Sequence, residues 1–348
     1  MTSRPTVSVI IPCRQEQDFI GPCLDSILTN DYPKERLEVL VIDGMSTDNT
    51  RNIVNAYANR HPFIRLLDNS RREQQLALNI GIKTAGGEII MRMDAHSTYK
   101  RNYISECIKA LNEQGADNVG GRWVTVPRDG TFVGRAIAFV TSVPFGVGNA
   151  YYRLASLDRP NEPALNHPKW EINVAYFCCR KQIFDKIGLF NERLDRSEDI
   201  DFRSRLKKGG YRTLFVPTIE CYYAMRTKFT EFIRHMFKNG LWVLLPLNYA
   251  PNVSFSLRHI VPLLFVSGIL GTFFLAIFGI SLPILMLLAS YFLASLYYSF
   301  RIAARERDFR YFFLLPFLFL ALHISYGLGS IAGLLRLIAT KMRNVYVE

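Results

Sequence analysis

The chain has 348 residues, enough for one large domain or two of ordinary size. Its hydrophobic fraction of 49% is high for a protein that is soluble throughout, and its net charge of +12 favours phosphate-bearing partners or an anionic membrane surface. Nucleic acid explains this charge poorly, because the basic residues are spread along the chain and many flank apolar segments. The six cysteines form no C-x-x-C pair, which indicates reduced thiols rather than a disulfide framework.

Strand and helix patterns alternate in the N-terminal part of the chain. Short apolar runs predict strands over residues 6–12, 37–42, 63–67 and 89–93, and helical spacing of apolar residues lies between them. This alternation predicts an α/β fold with a mainly parallel, doubly wound sheet and helices on both faces.

Two of these predicted strands end in an aspartate. Asp43 and Asp94 stand where the chain leaves the sheet, and ligands of open α/β sheets bind at that edge. His96 follows Asp94 at a spacing of two, so the two side chains could hold a divalent metal against a phosphate. The alternative is that Asp94 only begins a turn, and the sequence leaves metal binding by His96 open.

Two arginines lie at the start of the third predicted helix. Ser70 and Glu73 match a capping box and predict that the helix begins near Ser70, with Arg71 and Arg72 in its first turn. The helix dipole favours anions there, so these arginines make sense if they meet a phosphate. The alternative is that both are solvated surface residues.

A second acidic motif, Glu198 and Asp199, precedes a helical pattern. Acidic residues are favoured at a helix N-terminus in any case, which explains one or two of the carboxylates there. A paired motif in a chain with two strand-end aspartates also fits a catalytic role.

The segment 127–170 shows little periodicity and is rich in Gly, Pro and Asn, which predicts a long loop. Residues 145–153 within it could cover a substrate.

The C-terminal third contains long uncharged runs. Residues 260–300 carry no charged side chain, and this length predicts two membrane-spanning helices, at about 259–279 and 284–300. A further uncharged run covers 311–335. It predicts either a third span, which we favour, or a re-entrant or kinked segment.

An amphipathic helix is predicted at 229–245, directly before the first span. Its apolar face would suit a packed core equally well, but its position favours the lipid headgroup plane. Arg234, Lys238 and Trp242 on this helix are candidate contacts for an acceptor at the membrane surface.

The sequence therefore predicts a catalytic domain at 1–228, an interfacial helix and linker at 229–256, and a transmembrane module at 257–348. Four arginines form a predicted basic loop after the second span, which should be cytoplasmic. They are Arg301, Arg305, Arg307 and Arg310. We expect a multi-pass protein of the cytoplasmic (inner) membrane with its catalytic domain in the cytoplasm.

Five motifs in order resemble the family 2 glycosyltransferases with a GT-A fold, and within them the succinoglycan-biosynthesis type. These are residues 9–16 (VIIPCRQE), 41–48 (VIDGMSTD), 77–81 (ALNIG), 94–96 (DAH) and 197–199 (SED). The resemblance covers roughly residues 6–240.

The resemblance implies roles by position. Asp94 and His96 would fill the D-x-D metal motif, with Mn²⁺ or Mg²⁺ as cofactor. Asp199 would be the general base, in the acidic motif with Glu198. Asp43 would hydrogen-bond a uracil or its equivalent. The residues implied to bind the nucleotide-sugar are Pro12, Arg14, Glu16, Asp43, Arg71, Arg72, Asn79 and Asp94.

The chain departs from the family pattern at His96, where an aspartate is usual. Imidazole is a softer ligand than carboxylate, which favours Mn²⁺ over Mg²⁺. The Q-x-x-R-W signature of processive polymerases is also absent, which favours the addition of a single sugar.

The expected function is inverting transfer of one sugar from a nucleotide-sugar, a UDP-hexose by preference, to a polyprenyl-diphosphate-linked saccharide in exopolysaccharide or surface glycan assembly. One alternative is glycosylation of polyprenyl phosphate itself, as in the dolichol-phosphate-mannose type. An alternative of another class is a non-catalytic membrane subunit that keeps the fold.

Overall fold

The computed structural model describes residues 4–154, 167–170, 174, 176–250 and 256–345. The chain divides into two compact units. The sheet unit comprises Met1–Val124 and Arg159–Ala224, and the helical unit comprises Thr125–Asp158 and Met225–Glu348. The segment Thr125–Asp158 thus groups with the C-terminal helices, which differs from a simple division at residue 228.

The strands of the described residues form one mixed sheet. They are β1 Val7–Cys13, β2 Leu37–Asp43, β3 Ile64–Asp68, β4 Ile89–Arg92, β5 Ser97–Tyr99, β6 Asn118–Pro127, β7 Lys169–Trp170, β8 Cys178–Arg180 and β9 Thr213–Met225. Their order is β3-β2-β1-β4-β8-β6-β9-β5, with β7 paired to β9. Pairing is parallel among β1 to β4, as predicted. It is antiparallel where β8 joins β4 and β6, and where β9 joins β5 and β7.

The helices follow the predicted alternation in the first part of the chain and extend beyond it later. They are α1 Ile20–Leu28, α2 Thr50–Arg60, α3 Gln74–Thr84, α4 Tyr103–Glu113, α5 Phe132–Val140, α6 Pro144–Val147, α7 Tyr151–Leu154, α8 Gln182–Ile187, α9 Glu198–Lys208, α10 Phe229–Leu244, α11 Leu257–Ile277, α12 Leu282–Glu306 and α13 Arg310–Val345.

Parallel register aligns the ends of the first strands. Cys13 at the end of β1 pairs with Asp43 at the end of β2, and Asp43 pairs with Asp68 at the end of β3. The strands are buried and apolar, so hydrophobic burial fixes this register. The loops that follow β1, β2 and β3 therefore begin along one edge of the sheet.

Aromatic packing holds α8 and α9 in the sheet unit. Phe177, Phe184, Phe190 and Phe202 form a buried cluster, with Phe184 and Phe202 stacked at 5.4 Å between ring centroids. Such rings bury large apolar areas, so this cluster fixes the start of α9, where the acidic motif lies.

The predicted capping box at Ser70 is wrong. Helix α3 begins at Gln74, and Arg71 and Arg72 precede it. The backbone instead turns after β3: the N–H of Arg72 donates to the carbonyl of Asn69, and the Asn69 amide donates to the carbonyl of Glu73. This turn uses the polar groups that a helix start at Ser70 would need.

The helical unit contains three helices, among the described residues, that are long and apolar enough to cross a membrane: α11, α12 and α13. Helix α13 is continuous from Arg310 to Val345, so the structure contains no re-entrant break in this run. Arg301 and Arg305, predicted in a loop, lie on the last turns of α12 instead.

Helix α13 packs against α5, α6, α10, α11 and α12 of the helical unit. Glycines allow α10 to approach it closely: a Cβ added to Gly240 would lie 1.9 Å from the Tyr326 carbonyl oxygen, and one added to Gly329 would lie 2.1 Å from that of Phe237. The amphipathic helix α10 thus exists as predicted, and part of its apolar face is covered by α13. Small residues at such contacts let backbones approach, as they do in membrane helix pairs.

The prediction of a loop over 127–170 is wrong where the structure describes this segment. Helices α5, α6 and α7 occupy much of residues 132–154. Phe132 of α5 stacks on Tyr311 of α13, with ring centroids 4.5 Å apart. Residues 155–166 lie outside the described part of the chain.

Candidate active site

The end of β4 carries a buried ion pair. Arg92 Nε donates to Asp94 Oδ1 over 2.9 Å, and Arg92 Nη2 donates to Asp94 Oδ2 over 3.4 Å. Both side chains are buried. The backbone N–H of Asp94 donates to the Tyr99 hydroxyl over 2.7 Å, which fixes the chain where it leaves the strand.

The same guanidinium reaches the acidic motif. Arg92 Nη1 donates to Glu198 Oε1 over 3.4 Å, and the Gln74 side-chain amide donates to the same oxygen over 3.3 Å. The structure therefore brings together Asp94 and Glu198, which are distant in the sequence.

Glu198 and Asp199 differ sharply in environment. Glu198 is buried, whereas Asp199 is exposed. Burial raises the pKa of Glu198 to about 7, the neighbouring Asp199 carboxylate adds to the rise, and Arg92 opposes it. Ser197, the N-cap of α9, has a left-handed backbone conformation with φ 65°. An exposed carboxylate thus stands beside one already engaged by the protein.

His96 is held by a carboxylate from another strand end. Its Nδ1 lies 3.0 Å from Glu16 Oε1, in the loop after β1. A hydrogen bond from Nδ1–H would place the lone pair on Nε2. The His96 ring also packs edge-on against Tyr223, which itself stacks on Trp123.

The two candidate metal ligands, Asp94 and His96, have side chains of the kinds that bind divalent cations. Metal-binding imidazoles and carboxylates are commonly oriented by further hydrogen bonds, as Glu16 orients His96 and Arg92 orients Asp94. A carboxylate has about four lone-pair sites, so the arginine leaves others for a cation. The described residues contain no cluster of three or more His, Cys, Asp or Glu that could hold a metal ion. Two protein ligands suit a cation that also binds substrate phosphates and water.

Asp43 is fully buried at the end of β2. The Ser46 hydroxyl donates to its Oδ1 over 2.5 Å, and Arg51 Nη1 donates to its Oδ2 over 2.7 Å. Arg51 Nη2 also donates to Asp68, at the end of β3, over 2.8 Å. Its carboxylate is therefore fixed by the protein at the predicted edge.

The first two strand-end loops are joined by side chains. Gln15 Oε1 accepts from the backbone N–H of Thr47 over 2.6 Å, and the backbone N–H of Gln15 donates to Ser46 over 2.9 Å. Gln15, Met45 and Arg72 also have positive φ. Non-glycine residues rarely adopt this conformation, and it clusters at functional sites. Three successive strand-end loops thus share a constrained backbone.

The arginines after β3 are exposed, as a phosphate contact requires. Arg71 lies 3.5 Å from carboxylates of Glu73 and Glu192, and Arg72 is also on the surface. Asn79 is buried, and its side chain exchanges two hydrogen bonds of 2.9 Å with the backbone of Phe190. It joins α3 to the turn that precedes α9.

Pro12 is half-buried in β1, and Arg14 is exposed after it, packed against Gly44. Arg234 and Lys238 are exposed and Trp242 is half-buried, all on α10 of the helical unit. These last three are thus not part of the cluster in the sheet unit.

Sequence reasoning missed Arg92, Arg51 and Gln74. Arg92 had a detectable signal, because a charged side chain within a buried apolar strand needs a partner. Arg51 and Gln74 lie on helices among other polar residues and had none.

A comparison with solved structures identifies the class of fold. The mannosyltransferase PcManGT from Pyrobaculum calidifontis, in complex with GDP-Man and Mn²⁺, matches with a TM-score of 0.58 and 21% sequence identity, over 96% of this chain and 88% of that chain. The mixed sheet with its helices is GT-A-like.

The model of the family Glycosyl transferase family 2 matches residues 8–188, just over half of the chain. The chain belongs to this family and is a glycosyltransferase, as the resemblance predicted.

Curated relatives agree with this class. The succinoglycan biosynthesis protein ExoA of Rhizobium meliloti (strain 1021) is 28% identical over 270 residues, 73% of this chain and 78% of the relative. The dolichyl N-acetyl-alpha-D-glucosaminyl phosphate 3-beta-D-2,3-diacetamido-2,3-dideoxy-beta-D-glucuronosyltransferase of Methanococcus voltae is 27% identical over 243 residues, 67% of this chain and 71% of the relative.

Proposed function

We propose that the chain is a membrane-anchored, inverting glycosyltransferase. It would transfer one sugar from a nucleotide-sugar, a UDP-hexose, to a polyprenyl-diphosphate-linked saccharide during assembly of exopolysaccharide or surface glycan. The observation that carries this proposal is the shared guanidinium of Arg92, which places the carboxylates of Asp94 and Glu198 in one cluster.

The donor would bind along the edge formed by the ends of β1 to β4. Asp94 and His96 would hold Mn²⁺ or Mg²⁺, which when bound neutralises charge on the diphosphate leaving group. Arg71 and Arg72 are exposed and available to the phosphates. The Mn²⁺ and GDP-Man in the PcManGT complex support a metal and a nucleotide-sugar, but not a particular base.

Pro12 and Glu16 would border the base and ribose of the donor, and Arg14 would contact the donor from its exposed position. Asn79, whose buried side chain is hydrogen-bonded to the Phe190 backbone, would support the donor site rather than touch the donor. Glu16 would also orient His96, since its carboxylate lies against the imidazole. Asp43 would accept a hydrogen bond from the base. Hydrogen bonds from Ser46 and Arg51 hold its carboxylate in a fixed orientation, which supports this role.

Asp199 would act as the general base. It is exposed, whereas Glu198 is already bound by Arg92 and Gln74. Asp199 would take the proton of the acceptor hydroxyl. At the same time the hydroxyl oxygen would bond to the anomeric carbon of the donor sugar, and the bond between that carbon and the nucleoside diphosphate would break. A single displacement of this kind inverts the anomeric configuration. General-base catalysis contributes about 10²- to 10⁴-fold.

A lipid-linked acceptor is supported by three helices able to cross a membrane and by exposed Arg234 and Lys238 on α10. The name of the Methanococcus voltae relative describes a dolichyl-linked sugar phosphate as acceptor, and that of ExoA describes polysaccharide synthesis. The cytoplasmic membrane, with the sheet unit in the cytoplasm, is the proposed location.

The test uses the full chain purified in detergent with Mn²⁺. A panel of UDP- and GDP-sugars is screened for release of nucleoside diphosphate, first with polyprenyl-diphosphate-linked saccharides and then with bare polyprenyl phosphate. Transfer from a UDP-hexose to the saccharide, with inverted configuration, is the expected result. Transfer only to bare lipid phosphate would support the alternative acceptor. If the chain shows no transfer and no donor hydrolysis with any member of the panel, the result would favour a non-catalytic subunit.

A further inference from the structure

Arg92 is a buried charge in the middle of the sheet unit. It ends the apolar strand β4, two residues before Asp94, and only 8% of its surface is exposed. A charge in such a place is costly unless it is paired and hydrogen-bonded. Replacing a buried ion pair by apolar residues is often neutral for stability, so stability alone does not explain the partners of Arg92.

The guanidinium uses all three of its nitrogens on carboxylates. Nε and Nη2 face the two oxygens of Asp94, and Nη1 faces Oε1 of Glu198. Its carbon also lies 5.7 Å from the ring centroid of Tyr176, whose hydroxyl is bonded to Ser97. The planar fork is thus held on one face by an aromatic ring and on its edges by two acids.

This geometry fixes two different parts of the site at once. Asp94 belongs to the predicted metal motif, and Glu198 is the neighbour of the proposed base Asp199. Arginine can make such a two-point contact because its donors are coplanar and rigidly spaced, whereas lysine is a point charge on a flexible stem.

We infer that Arg92 is a positioning residue that sets the orientation of the metal-binding carboxylate Asp94 and, through Glu198, the start of helix α9 that carries Asp199. The inference rests on the proposed function. Arg92 itself would touch neither the transferred sugar nor the metal. Through Arg92, the metal-binding side of the site (Asp94) and the acceptor side (the start of α9) would be held in a fixed position relative to each other.

The central experiment is Arg92→Lys in the full chain, because this variant keeps the charge and removes the planar contact. Mn²⁺ binding in the presence of UDP is measured from the free Mn²⁺ signal in electron paramagnetic resonance. Loss of an outer-shell partner weakens metal affinity by about 10- to 100-fold, and we expect a loss in this range. At saturating Mn²⁺ and donor, kcat for transfer should also fall.

The matched control is Arg205→Lys. Arg205 makes a similar pair with Asp201 on α9, with Nε 2.9 Å from Oδ2. Its other hydrogen bonds among the described residues go to the carbonyls of Ile187 and Gly188, which are not site residues. It should lower thermal stability without changing Mn²⁺ affinity or kcat. If Arg92→Lys behaves in the same way, or binds Mn²⁺ more tightly, Arg92 only balances charge and the inference is wrong.

Two further outcomes are distinguishable. If Arg92→Lys does not fold, Arg92→Gln combined with Glu198→Gln removes the contact with Asp94 and keeps the formal net charge of the cluster, so Mn²⁺ affinity is again compared at constant charge. If the wild type binds Mn²⁺ with UDP but transfers no sugar, the proposed function fails, while a weaker affinity in Arg92→Lys still supports the contact with Asp94. A wild type that binds no Mn²⁺ in the presence of UDP would overturn the inference.

Discussion

Nδ1 of His96 lies 3.0 Å from Oε1 of Glu16, so residues that follow two different strands are paired at the edge of the sheet. This contact bears directly on whether His96 binds metal, because a carboxylate on one ring nitrogen directs the other towards a cation. We expect His96→Ala to weaken Mn²⁺ affinity strongly, and Glu16→Gln to weaken it by about 10-fold or more. Titration of Mn²⁺ with UDP present checks both. Unchanged affinity in both variants would mean that His96 is not a ligand.

Asp94→Asn should abolish the metal dependence of nucleotide binding. The amide keeps the shape of the side chain but loses the negative charge, and metal ligands of this type are carboxylates. UDP affinity is measured by calorimetry with and without Mn²⁺. A variant in which Mn²⁺ still increases the affinity to the wild-type extent would exclude Asp94 as the metal ligand.

Asp199→Asn should lose transfer by about 10²- to 10⁴-fold and retain donor binding, because a general base acts only in the chemical step. Asp195→Asn is the matched control, since Asp195 is an exposed carboxylate on the same segment. It should leave the rate unchanged. Near-wild-type turnover in Asp199→Asn would assign the base elsewhere.

The acidic motif also gives a pH-dependent stability. Burial raises the pKa of Glu198 from its ordinary 4.5 to about 7. The contribution of protonated Glu198 to the free energy of unfolding is therefore fully present below about pH 4.5 and is lost as the pH rises through about 7. The stability of the wild type relative to Glu198→Gln should fall over this window, by up to about 3 kcal/mol.

This difference is measured by unfolding the detergent-solubilised full chain of each protein in matched buffers between these two pH values. Comparing the two proteins removes the effects of groups that they share. A difference that stays flat, or that rises with pH, would contradict the assignment.

The contact between α10 and α13 is testable through its glycines. Gly240→Ala places a methyl group against the Tyr326 carbonyl oxygen, so the helices must separate, and such overpacking costs about 1–3 kcal/mol. Gly271→Ala on α11 is the control, because nothing lies within 4 Å of its Cβ position. The thermal unfolding midpoint in detergent should fall for the first variant only. Equal midpoints would show that the contact does not stabilise the helical unit.

Local sequence patterns predicted the parts of the site that end strands. The sequence predicts Asp43 and Asp94 at the carboxyl edge of the sheet, because each follows an apolar run typical of a buried strand. Ligands of open α/β sheets bind at that edge. The pairing of Arg92 with Glu198 joins residues 106 positions apart. No local pattern encodes it, although the isolated charge in β4 indicated that some partner exists.

Two errors have the same physical origin. The Ser70 capping box failed because Asn69 and Arg72 form a turn that competes for the same backbone groups. Helix α5 was assigned to a loop because its apolar face is complemented by α13, far along the chain. Propensity and periodicity describe local preferences, which tertiary contacts override.

The packing of α5 and α6 on α13 imposes an order on the folding of the protein during its synthesis. Phe132 and Phe145 meet Tyr311 and Phe319, residues that leave the ribosome much later. At common translation rates the delay is roughly 10–40 s. During that interval the apolar faces of α5 and α6 lack their packing partners on α13. The final packing of α5 and α6 therefore waits for the synthesis of α13.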